Sequence, residues 1–137
     1  MVSIKLIRRI GAVALILPAG DHLISPILTM IFAPSIMSMM FGATGAIPTA
    51  VFFIILGLFQ FGWVAVLLKS KSPTLLTIGI LVNLALIAIY FISVAGVTFP
   101  FGVPPQPFIP FAVVIKALEA VFVVASIYAM KNAKKPT

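Results

Sequence analysis

The chain has no cysteine, one histidine, and only two acidic residues, Asp21 and Glu119. Without cysteine there is no disulfide, no thiolate metal site and no thiol nucleophile, and the redox compartment stays open. No Walker loop, Gly-x-Ser-x-Gly or His-Glu-x-x-His pattern is present, so nucleophilic catalysis has no visible constellation. Charge is scarce too. Only 8% of residues are charged, where a water-soluble surface needs roughly a quarter or more. Apolar residues take the place of charge, at 63% of the chain and a mean hydropathy of +1.32. This composition excludes a soluble domain.

The net charge is +7. In a soluble protein that excess would suggest nucleic acid, but the position of the bases gives another reading. All except Lys116 fall in three short clusters: Lys5/Arg8/Arg9, Lys69/Lys71 and Lys131/Lys134/Lys135. Two apolar passes separate the first cluster from the second, and two more separate the second from the third. Lys and Arg are retained on the cytoplasmic side of a membrane. The expected architecture is therefore an all-α integral membrane four-helix bundle in the cell membrane, with both termini and the central turn in the cytoplasm. Anionic lipid headgroups are natural partners for such juxtamembrane bases, and nucleic acid is not expected.

The basic start followed by an apolar run has the outline of a signal peptide. That run continues past Gly20 to Ala33, so the expectation is an uncleaved first helix. Hydropathy predicts helices over about Ile7 to Ile31, Ile47 to Leu68, Thr74 to Val94 and Phe111 to Met130. These four spans form one transmembrane domain over residues 1–137, joined by outer loops at about 35–46 and 97–110 and a tight inner turn at Lys69 to Pro73. Pro18 and Pro26 fall inside the first helix and each removes a backbone donor, which predicts a kink. Pro100, Pro104, Pro105, Pro107 and Pro110 stiffen the second outer loop among Phe99, Phe101 and Phe108. Trp63 and Tyr128 fall where interfacial anchors are expected.

At about 1.5 Å per residue, Asp21 lies about 18 Å from Arg9, Asn83 about 16 Å from Ser72 and Glu119 about 18 Å from Lys131. His22 adjoins Asp21, Lys116 is about one turn further out and Gln60 about one turn further in. An ionised group at the bilayer centre costs at least ~2.5–3.5 kcal/mol, so these residues should face partners or a cavity. Lys116 and Glu119 are three apart and can pair on one helix face. Asp21, His22, Asn83, Lys116 and Glu119 form the candidate intramembrane cluster. The simplest reading is a charge-neutralised lock that fixes helix neighbours. A proton or ion path and a metal site at the same residues are the alternatives.

Met37, Met39 and Met40 cluster in the first outer loop, and thioether sulfur suits Cu(I). Methionine also packs adaptably against partners, which is the more ordinary explanation. Met37, Met39, Met40, Phe99, Phe101 and Phe108 are accordingly expected to form an outer partner-contact surface. No catalytic residue and no resident cofactor are expected, copper at the three methionines being the exception to consider.

Asp21-His22-Leu23, the run Phe52 to Gln60, Lys71-Ser-Pro73, Gly79 to Leu84, Phe99 to Pro105 and Lys116-Ala-Leu-Glu119 together resemble a group of small four-helix membrane proteins of archaea and some bacteria. That group includes accessory subunits of the archaeal ammonia monooxygenase complex, whose catalytic copper lies in other subunits. The resemblance implies a non-catalytic subunit that assembles with other integral membrane subunits in a hetero-oligomer. Arg9-Ile-Gly11 and Gly20 add a fainter resemblance to the DoxX-like four-helix family, without transferring a functional residue.

Overall fold

The computed structural model describes residues 3–42, 44–96 and 108–133. Among them the chain forms α1 (Ile4–Phe32), α2 (Pro34–Phe41), α3 (Ala46–Lys69), α4 (Pro73–Val94) and α5 (Pro110–Ala133), with no strand. Helices α1, α3, α4 and α5 are each long and apolar enough to cross a membrane, which makes this a multi-pass membrane protein.

Proline sets several of these boundaries. Pro34, Pro73 and Pro110 are each the first residue of a helix, where the missing N–H costs nothing and the fixed φ suits the first turn. The sequence reading of 35–46 as a plain connection misses α2, whose eight residues begin at Pro34. Pro18 and Pro26 both lie inside α1 and are buried. At the basic end of the bundle, Ser72 caps α4 by accepting from Leu75 N at 3.4 Å, and Ser70 Oγ accepts from Ser72 N at 3.0 Å. Arg8 Nη1 donates to Ser70 O at 2.9 Å, tying the start of α1 to this turn. At the opposite end Tyr90 donates its hydroxyl to Ile109 O at 3.2 Å, fixing the entry to α5.

The four long helices close in the order α1, α3, α4, α5, with α1 packed most extensively against α3 and α5. The buried face of α1 is rich in small residues: Gly11, Ala12, Ala14 and Ala19 accompany Leu15, Pro18, His22 and Pro26. In a bilayer there is little hydrophobic gain from hiding leucine, so close approach of such residues is what drives association. A neighbouring backbone comes closest at Gly57 of α3. A Cβ there would lie 2.7 Å from Leu23 N and 2.8 Å from Ala19 O, both backbone atoms of α1. The hairpin partners α3 and α4 touch less, and Trp63 lies across Gly79 in the seam between them. Trp63, expected from the sequence as an interfacial anchor, therefore packs between these two helices. Near the basic end Ala12, Leu15, Leu67, Leu76, Ile80, Phe122 and Val123 form the apolar core.

Gly57→Ala is expected to destabilise the bundle by about 1–3 kcal/mol, because two packed backbones must separate. Unfolding in mixed detergent micelles measures it. Gly20→Ala is the control: a Cβ there meets nothing within 4 Å, so neutrality or a slight gain in helix propensity is expected.

Candidate functional site

Helix α3 crosses its span with a single strongly polar side chain, Gln60, between Thr49 and Lys69. That side chain is fully buried and sits at the hub of a network contributed by all four long helices. Its Oε1 accepts from His22 Nδ1 of α1 at 2.8 Å. Its Nε2 donates to Asn83 Oδ1 of α4 at 3.0 Å and to Glu119 Oε1 of α5 at 3.1 Å. Asn83 Nδ2 in turn donates to Gly79 O at 2.8 Å. This backbone bond leaves Asn83 Oδ1 facing Gln60 as an acceptor. Gln60 must then present Nε2 to Asn83 and Oε1 to His22, which places the imidazole proton on Nδ1. One anchored amide thus orients the other, and the second selects the histidine tautomer.

Lys116 and Glu119 occupy one face of α5, three residues apart. Lys116 Nζ donates to Glu119 Oε1 at 3.1 Å and to Oε2 at 3.0 Å. Glu119 is fully buried and the Lys116 side chain is 9% exposed. Three donor contacts therefore converge on this carboxylate from Lys116 and Gln60. His22 Nδ1 lies 3.8 Å from Glu119 Oε1, with Gln60 bonded to both residues. The ring of His22 also stacks on Phe53 of α3, with centroids 5.4 Å apart and planes at 27°. Across the described residues, Ser126 Oγ is the sole buried side-chain polar atom without a hydrogen-bond partner.

The structure brings together His22, Asn83, Lys116 and Glu119, and adds Gln60, which the sequence reading placed at a similar depth but left out of the cluster. The signal for Gln60 was its isolation: a lone amide in a span of mean hydropathy 2.5 needs a partner. Asp21 goes elsewhere. It accepts from Ser25 Oγ at 2.6 Å on the outer side of α1, and no cation lies within ion-pair distance among the described residues. Adjacent residues on a helix point about 100° apart, so His22 and Asp21 cannot both face the bundle axis.

The chemistry available to the cluster follows from this geometry. An amide donates through nitrogen and accepts through oxygen, so Gln60 connects His22 to Glu119 without offering an ordinary proton relay. Direct transfer would need a separation of about 2.6–3.2 Å, shorter than the distance between them. For a metal, His22 and Glu119 would compete with the Lys116 ammonium, and Asp21 is not turned toward them. Among the described residues no group of three His, Asp or Glu side chains gathers.

At the end of the bundle away from the 69–73 turn, the predicted contact residues separate. Met37 is buried against Ala46 and Ala50, whereas Met39 is 81% exposed. Two positions along a helix subtend about 200°, so α2 turns these thioethers to opposite sides rather than toward one copper ion. Met37 is thus a packing residue of α2 on α3, a correction to its expected place on the contact surface. Phe108 is exposed. Phe99, Phe101 and the side chain of Met40 lie outside the described residues. Compared with protein-family models, with curated proteins and with solved structures, the chain matches none.

Proposed function

We propose that the chain is a non-catalytic accessory subunit of a larger membrane enzyme complex. Its polar cluster acts as a structural lock that sets the register of the four spans, while their outer faces meet lipid and neighbouring subunits. The observation that carries this reading is the mutual pairing of His22, Gln60, Asn83, Lys116 and Glu119, which engages every long helix and directs the hydrogen bonds inward. The exposed outer side chains of Phe32, Met39 and Phe108 support a covered outer surface, because large exposed apolar patches mark contact sites. The sequence resemblance nominates the archaeal ammonia monooxygenase complex as the assembly to test. Extraction in mild detergent, native gels and mass spectrometry of co-migrating chains provide that test. Co-migration with catalytic subunits is expected, and a chain that runs alone would overturn the proposal.

The basic clusters support an orientation with both termini and Lys69–Lys71 in the cytoplasm. Cysteines introduced at Ser70 and at Gln106, the latter outside the described residues, are expected to label from opposite sides of the membrane. Labelling from one side would end the four-pass topology. A second reading, a small transporter or proton-conducting protein, draws on the 3.8 Å approach of His22 to Glu119. It predicts proton flux in liposomes that vanishes in Glu119→Gln, and the lock predicts no such flux.

A further inference from the structure

Asp21 poses a problem that the cluster does not solve. It stands near the middle of α1, about 18 Å along the axis from Arg9, yet it faces the outside of the bundle. Asp21 is half-buried, and among the described residues its one hydrogen-bond donor is the exposed Ser25, one turn along. Thr29, a further turn along, donates to Ser25 O at 2.8 Å, so a polar stripe runs along this flank. The same flank carries Leu17, Ile24, Leu28 and Ile31, all exposed. With Asp21 between them the spacing alternates four, three, four, three, which is the spacing of a helix-packing seam.

An apolar seam alone says nothing in a bilayer, because lipid tails are as apolar as leucine. The carboxyl group changes that. A carboxylate presented to hydrocarbon at this depth is costly unless a cation or several donors compensate its charge. The Ser25 hydroxyl supplies one hydrogen bond but no charge. Among the described residues no cation pairs with Asp21, as the mid-depth base Lys116 is already bonded to both oxygens of Glu119. A second copy would bring no spare mid-depth cation, and a two-fold contact through this seam would set two Asp21 carboxyls against each other.

We infer that the Leu17–Asp21–Ile24–Leu28 face of α1 docks a transmembrane helix of a different polypeptide, one carrying a lysine, arginine, histidine or amide side chain at the depth of Asp21. The inference rests on the accessory-subunit reading and says where, and through what chemistry, the partner is held. In coiled coils a single polar residue within an apolar seam fixes register and partner at some cost in stability, and Asp21 holds the equivalent position.

The test places a photo-crosslinking residue at Ile24 of the full chain in native membranes. The expected product joins this chain to a transmembrane peptide of another polypeptide bearing a basic or amide residue near the crosslink. Asp21→Leu should lower its yield about tenfold or more, the change that ~1.4 kcal/mol produces. Asp21→Glu should retain most of it. Both variants should keep the unfolding midpoint of the isolated bundle, or raise it, because among the described residues Asp21 makes no hydrogen bond or ion pair with the lock. Crosslinks only to lipid or to a second copy would overturn the inference, as would a yield unchanged in Asp21→Leu. If catalytic subunits still co-migrate in that case, the accessory reading stands without this interface. If the chain also migrates alone, both fall.

Discussion

Glu119→Leu is expected to destabilise the bundle by about 3–5 kcal/mol, the cost of leaving one member of a buried ion pair without its partner. Glu119 takes both of the observed contacts of the Lys116 ammonium, and the lysine side chain is 9% exposed. Without the carboxylate the ammonium would be held in an apolar span with no counter-charge. Gln60 would lose one of the two acceptors of Nε2 but would keep Asn83. Lys116→Leu combined with Glu119→Leu should therefore cost much less than Glu119→Leu alone, because it removes both charges and leaves the His22–Gln60–Asn83 chain intact. Reversible unfolding in mixed micelles reads both values. Equal destabilisation by the single and double changes would mean that the pair does not act as a unit, and the lock would fail with it.

Gln60→Leu is the second large effect expected, and it separates the hub from the ion pair. Leucine fills a similar volume, so the loss is almost entirely one of hydrogen bonds. His22 Nδ1 and Asn83 Oδ1 would each lose their partner in this network, while Glu119 would keep Lys116. Each stranded buried group costs ~1–3 kcal/mol, so the total should be about 2–6 kcal/mol. The lower half of that range is expected, since membrane-inserted helices find other polar partners when unfolded. A double-mutant cycle between Gln60→Leu and His22→Leu should give a coupling of at least ~0.5 kcal/mol. The same cycle with Asp21→Leu should give none. A Gln60→Leu protein as stable as the Gly20→Ala control would show that the amide is not the hub.

The four spans follow from the sequence by length and hydropathy, and the structure places them within a few residues of the expected limits, as with Ala46–Lys69 against about Ile47 to Leu68. Hydropathy is a property of composition along the chain, so it needs no knowledge of neighbours. The short α2 escaped because eight residues headed by a proline look the same whether they form a loop or a two-turn helix. Relative height along the bundle was legible too. A rise of about 1.5 Å per residue sets Asp21, His22, Gln60, Asn83, Lys116 and Glu119 within about a turn or so of one level.

Direction around each helix axis is a different matter. Asp21 and His22 share a depth and differ by about 100° in azimuth, so only one of them can enter the bundle. The small residues Gly11, Ala12, Ala14 and Ala19 line the packing face of α1, where a bilayer rewards close backbone approach. The equally small Gly20 meets nothing, so small size alone does not mark the face in the sequence. Which helices that face meets is decided by tertiary packing: α1 lies against α3 and α5, with Gly57 admitting the α1 backbone one turn from Gln60. That placement seats His22 on the amide and turns Asp21 outward. Hydropathy and rise therefore determined the spans and the polar level. The order of helices around the axis, and hence which polar groups meet, came only from how four apolar surfaces fit.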